Sequence, residues 1–137
     1  MDGVVDGGRS EPDAALDALA QRVIGACIEV HRHLGPGYLE ATYSRALSIE
    51  LELLGIAHER EAPVRLAYKG RDVGDGRLDF LVGGRLVVEL KAVESLSEVH
   101  RAQVIAYLKA TGHQLGLLVN FNEVRLADGL RRIIHTA

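Results

Sequence analysis

Six aromatic side chains, one cysteine and no tryptophan serve a chain of 137 residues. With Cys27 alone, no disulfide can form within the chain, and its place on an apolar helical stripe predicts an inert core thiol. Tyr38, Tyr43, Tyr68, Phe80, Tyr107 and Phe121 are the only aromatics, so the core must be built mainly of Leu, Val, Ile and Ala. No apolar run reaches the length needed to cross a membrane. The opening "MDGVVDGGRSEPD" lacks the basic and apolar segments of a signal peptide, and a cytoplasmic location is expected. Positive charge is also not in excess, with 16 Lys and Arg against 19 Asp and Glu and a net charge of −3. Any nucleic-acid role therefore needs a local basic patch working against the average. Neither a Gly-rich phosphate loop ending in Lys-Ser/Thr nor a G-x-S-x-G nucleophile elbow is present. Six histidines are available, but His31 and His33 lie two apart on different helix faces. No Cys or acidic cluster completes a zinc pattern around them.

What is present is a hydrophobic content of 47% with 26% charged residues, typical of a soluble globular chain. The length predicts one domain over residues 12–137, large enough for a core without disulfides or metals, after a Gly- and Asp-rich tail over 1–11. Pro12 suits the first turn of a helix in which Leu16, Leu19, Val23, Cys27, Val30 and Leu34 recur at three- and four-residue spacing. That helix should stop at Gly35-Pro36-Gly37. A second, over about 38–54, puts Leu39, Tyr43, Ala46, Leu47 and Leu54 on one face and is capped by Gly55. Three strands are expected next, "APVRLAYKG", "RLDFLV" and "RLVVELK", the last two joined through Gly83-Gly84. A third helix over about 97–111 shows Ser95 and Glu98 at capping-box spacing. "QLGLLVNF" has strand length, and "LRRIIH" can add an edge strand. The order is α-α-β-β-β-α-β, with room for one more β.

The hairpin "RLDFLVGGRLVVELK" raises the chemical question, because Asp79, Glu89 and Lys91 lie inside strands otherwise suited to a core. Glu89 and Lys91 share one face of their strand, and Val88 and Leu90 the other. A two-residue Gly83-Gly84 loop would pair Asp79 with Val88 and point it away from Glu89. A three-residue loop or a bulge would pair Asp79 with Glu89, and the glycines permit either. Taken singly, each carboxylate suits a solvated strand face. Side by side they repel, and a fold gains from that only with a cation between them. Hard divalent ions suit carboxylate oxygens, and a lysine two residues on can stabilise developing negative charge. The D-x9-E-x-K spacing thus points to metal-assisted phosphodiester hydrolysis. Glu40 falls in the first turn of the second helix, where the helix dipole alone favours an acid. Core packing accounts for Tyr43. Gln103 and Tyr107 share one face of the third helix; Tyr107 suits a core, and Gln103 then needs a polar partner. His100, one turn before Gln103, is read as an exposed helix residue within reach of the site. Arg60, Arg65, Lys69, Arg71 and Arg77 read either as a solvated edge or as a track for a phosphate backbone.

These residues carry a resemblance. Gly37-Tyr38-Leu39-Glu40-Ala41-Thr42-Tyr43 matches the motif that names the GxxExxY proteins of the PD-(D/E)xK nuclease-like superfamily. Asp79 with Glu89-Leu90-Lys91 resembles the superfamily's D…ExK signature, with Leu78 in place of the proline, and Gln103 to Tyr107 resembles its Q-x-x-x-Y element. The likeness spans about residues 17–134. It implies an α/β (mixed α+β), restriction-endonuclease-like core with a mixed sheet flanked by helices. It further implies that Glu40, Asp79, Glu89 and the Leu90 carbonyl hold Mg²⁺ or Mn²⁺, that Lys91 stands beside the scissile phosphate, and that Gln103 and Tyr107 support the site. The expected partner is nucleic acid, DNA ahead of RNA, and short nucleases suggest by analogy a homodimer. Two rivals stand beside this reading: a non-catalytic nucleic-acid- or protein-binding subunit keeping the fold, and a hydrolase of small nucleotides.

Overall fold

A computed structural model describes residues 11–136. The tail expected over 1–11 lies, Glu11 apart, outside the described residues. Helix α1 (Ala14–Leu34) begins at Asp13, whose carboxylate accepts the Leu16 amide at 2.9 Å. Pro12 therefore precedes the cap instead of occupying the first turn. Leu16, Ala20, Val23, Cys27 and Val30 are buried along the expected stripe, and burial pushes the Cys27 thiol up to about 12. Helix α2 (Glu40–Leu53) buries Tyr43, Leu47 and Leu51. Leu39 and Leu54, expected on the same face, are 77% and 42% exposed. They are the residues flanking the helix: Leu39 is extended (φ −72°, ψ 152°), and Leu54 is the C-cap.

Strands β1 (His58–Tyr68) and β2 (Arg71–Val82) form a hairpin longer than the sequence suggests. "RDVGDG", outside the expected strands, continues β2. The register slips between Leu66 and Ala67, so Val73 bulges outward with Gly74 at φ 129°, while Asp72 accepts the Gly74 amide at 2.8 Å. After β2 come β3 (Leu86–Lys91), α3 (Glu98–Thr111), β4 (Leu115–Asn120), a 3₁₀ turn (Leu126–Gly129) and the edge strand β5 (Leu130–Ile134). The five strands lie in sequence order, antiparallel except for the parallel pair β3–β4, with α3 as its crossover. The cap of α3 differs from the expected Ser95–Glu98 pair. Ser97 caps the helix, its hydroxyl accepting the His100 amide while His100 Nδ1 accepts the Ser97 amide, so histidine takes the place of the usual Glu.

The sheet has a core on each side. Helices α1 and α2 pack on Phe80, Val82, Val88, Leu90 and Val119; α3 packs through Val104 and Leu108 on Ala62, Val64, Leu78, Val87 and Leu118. Among the described residues no helix is long and apolar enough to cross a membrane.

Candidate active site

Leu78 and Phe80 lie two apart on β2 yet belong to opposite cores. In a regular strand they would share a face. Between them stands Asp79, and across the hairpin Glu61 has φ 53°, a left-handed backbone that a non-glycine residue adopts at a cost of about 1–2 kcal/mol. Arg60 pairs with Phe80 and Ala62 with Leu78, so no residue is inserted. The pleat instead turns over at Glu61 and Asp79, so Leu78 leaves the face that regular alternation would give it with Phe80 and Val82. Such outliers concentrate where a fold positions chemistry.

The alternative left open by Gly83 and Gly84 is resolved by the pairing of Val82 with Leu86, a three-residue loop with both glycines at positive φ (59° and 70°). Asp79 thereby arrives level with Glu89. Regular pairing ends one step short, at Phe80 and Val88. Beyond it the carboxylates act as acceptors: Glu89 Oε2 takes the Asp79 amide and Asp79 Oδ2 the Leu90 amide, each at 2.8 Å. The Leu90 side chain is packed in the α1–α2 core.

Glu40 opens α2, a helix whose N-cap, Leu39, offers no side-chain acceptor. What fixes this corner is Tyr43. Its ring stacks on Phe121 at 4.6 Å, and its hydroxyl donates to the Gly35 carbonyl at 2.6 Å and accepts the Tyr38 amide at 3.1 Å. The core role expected for Tyr43 is thus joined by a second one, clamping the turn from which Glu40 projects. Lys91 Nζ donates to Gln103 Oε1 at 3.2 Å, which supplies the polar partner Gln103 was expected to need. Tyr107 lies flat on the hairpin, so close that a Cβ at Gly76 would meet its Cε1 at 3.0 Å. Glu40, Asp79 and Tyr107 line one groove of about 940 Å³, together with Arg60, Arg65 and Arg77.

The electrostatics tie the acids together. Burial pushes the Glu89 carboxyl up to about 8; the Asp79 charge and, to a smaller degree, Glu40 add to the rise, opposed by the Asp79 amide and Lys91. Asp79 is raised by burial, against the pull of the Leu90 amide and Lys91. Glu40 is raised by desolvation and by Asp79, and lowered by Lys91 and His100. Glu89 is only 3% exposed, so the metal-free site stores its proton there.

Among the described residues no three His, Cys, Asp or Glu side chains form a ready-made metal-binding group. The donor set nevertheless fits a hard divalent ion. The Asp79 charge raises the affinity of both Glu40 and Glu89 for positive charge, and among the described residues Asp79 Oδ1 and Glu89 Oε1 accept no hydrogen bond. The other oxygen of each is engaged with a backbone amide, which orients the remaining one.

Sequence reasoning missed Asn120. Fully buried at the end of β4 and paired with Lys91, it accepts the Val93 amide at 3.0 Å and donates to the Val93 carbonyl at 2.9 Å. It thereby fixes the chain as it leaves Lys91. Gly129 passes so near that a Cβ there would stand 2.6 Å from the Asn120 carbonyl oxygen. The available signal was a polar residue closing an apolar run. Asn120→Ala leaves the Val93 amide without its acceptor and the Val93 carbonyl with only the longer bond from the Asn122 side-chain amide at 3.4 Å, and is expected to lower the unfolding free energy by about 1–3 kcal/mol in a urea titration. An unchanged midpoint would show that the amide does not hold the strand exit.

Sequence comparison agrees with this architecture. The profile of the PD-(D/E)XK nuclease superfamily matches residues 17–133, and the chain belongs to that superfamily. No curated protein matches it at a significant level.

Proposed function

We propose that this protein is a divalent-metal-dependent phosphodiester hydrolase acting on nucleic acid, with DNA as the first candidate. The reading rests on one observation above the rest: Asp79 and Glu89 are locked level by hydrogen bonds to each other's strands, and the Asp79 charge adds to the demand of buried Glu89 for a cation. Glu40, Asp79 and Glu89 would hold Mg²⁺ or Mn²⁺, with the Leu90 carbonyl as a further ligand implied by the family resemblance. When bound, the ion supplies an activated water and polarises a phosphoryl oxygen. Lys91 presents its ammonium to the negative charge that grows on the phosphate as the bond breaks. Gln103 restrains that ammonium and limits the rotamers it must lose on binding substrate. Tyr107 walls the groove beside Asp79 and keeps the hairpin backbone at van der Waals contact.

Two measurements test the proposal in order. Isothermal calorimetry with Mg²⁺ and Mn²⁺ should show binding by the wild type and none by Asp79→Ala combined with Glu89→Ala. Cleavage of labelled DNA, RNA and nucleotide panels should then fall about 10²–10³-fold in Lys91→Ala while cation binding persists. A wild type that binds neither ion sinks the hydrolase and leaves the non-catalytic binding subunit; cleavage of nucleotides alone would favour a small phosphorylated substrate.

A further inference from the structure

Three arginines stand in the same groove as the acids, and neutralising those acids is not their role. The side chain that lowers Glu40, Asp79 and Glu89 alike is Lys91, joined by His100 at Glu40 alone; Arg60, Arg65 and Arg77 have no part in this. Arg60 reaches only the Ser44 hydroxyl at 3.0 Å, and Arg77 pairs with Glu61 at 2.8 Å with both side chains well exposed. Arg65 makes no hydrogen bond or ion pair among the described residues. An exposed pair of this kind contributes little to stability, so the fold does not need the arginines where they are. Guanidinium groups match phosphate oxygens with two parallel donors. The groove, about 940 Å³, exceeds what one phosphate fills. Its lining follows the β1–β2 hairpin as far as Arg65 and Asp75, and the hairpin itself continues to Arg71, roughly 26 Å from Asp79 at about 3.3 Å per residue. At its end, Lys69 lies over the exposed ring of Tyr68.

We infer that this groove seats the sugar-phosphate backbone of a nucleic-acid strand through Arg60, Arg65 and Arg77, with Glu61 as the counter-ion that Arg77 leaves to take it. The inference shares its anion with the proposed chemistry but not its readout. Glu40, Glu61, Asp75 and Asp79 line the groove beside the three arginines and keep it from being basic overall, so binding depends on the exchange of partners at Arg77 as well as on bulk charge.

Fluorescence anisotropy of a labelled single strand in EDTA, between about 50 and 200 mM salt, tests it without hydrolysis. The triple variant Arg60→Ala, Arg65→Ala, Arg77→Ala is expected to bind about 10–100-fold more weakly, with the slope of log K against log salt shallower by about 2. Arg131→Ala, on the opposite edge strand, should bind as wild type does. Glu61→Gln should bind severalfold more tightly, and that gain should vanish when Arg77 is also alanine. A triple variant with wild-type affinity and slope overturns the inference, as does a wild type that binds no strand or one from which a nucleoside monophosphate displaces it phosphate for phosphate. A Glu61→Gln gain that survives Arg77→Ala removes the counter-ion role. Loss of metal-dependent cleavage with the salt slopes intact would sink the proposed hydrolase and leave this surface standing.

Discussion

Glu89→Gln should make the metal-free protein more stable at pH 8, although it alters a buried residue at the centre of the site. The glutamate carboxyl ordinarily titrates near 4.5 and in the fold is held up to about 8. Below the ordinary value it is protonated in both the folded and the unfolded chain and leaves stability unchanged with pH. Between the two values the unfolded chain releases a proton that the folded chain retains, so stability falls as pH rises. Above about 8 the loss is complete, on the order of 3–5 kcal/mol for a group this deeply buried. Asp79, raised as well, adds to the same trend. Glutamine carries no charge and can still accept the Asp79 amide, so stability in EDTA should fall less steeply with pH in the variant than in the wild type, the remaining slope being that of Asp79 and Glu40. Thermal melts from pH 5 to pH 9 decide the matter; equal slopes for the two proteins would show that Glu89 is ionised in the fold. Added Mn²⁺ should restore the wild type by about 2.7 kcal/mol at a hundredfold excess over Kd and leave the variant behind.

Tyr43 carries the second large effect. Tyr43→Ala removes a fully buried ring from its stack on Phe121 and is expected to cost about 3–5 kcal/mol, enough to unfold much of the protein at 37 °C. Tyr43→Phe separates packing from clamping. It keeps the stack and loses both hydroxyl bonds to the Gly35–Tyr38 turn, a loss of about 1–3 kcal/mol. If the hydroxyl positions Glu40, cation affinity in the phenylalanine variant should drop about tenfold while denaturant unfolding stays cooperative. Wild-type affinity in Tyr43→Phe would reduce Tyr43 to a packing residue.

These two sites also mark the limits of reading from sequence. The D…ExK spacing, the alternation of Glu89 and Lys91 with Val88 and Leu90, and the apolar stripe of α1 are local patterns, and local geometry obeyed them. The loop at Gly83-Gly84 was legible only as a choice, because glycine accepts either turn and the register is decided by what the strands must bury. The reversal of faces at Asp79 was not legible. It depends on Glu61 adopting a left-handed backbone in mid-strand, which no propensity favours and only the surrounding sheet can enforce. "RDVGDG" shows no strand alternation and stands outside the strands expected from sequence, whereas paired with β1 it extends β2 through a bulge. His100 at a capping position and Asn120 beneath Lys91 were hidden for a related reason: their partners lie in backbone that the sequence does not name.

At Asp79 and Glu89 two side chains hold the amides that a neighbouring strand would ordinarily hold. The ends of β2 and β3 are therefore joined by the same groups that would carry out the chemistry. This constrains how such a chain can change over time. A descendant with no use for hydrolysis could lose Lys91 or Gln103 at little cost, since both are at the rim. Losing Asp79 or Glu89 would strip the acceptor from a strand amide and require another way to join the strands. Carboxylates at these two positions can therefore outlast the activity, and the lysine is the more telling residue when an active relative must be told from a retired one.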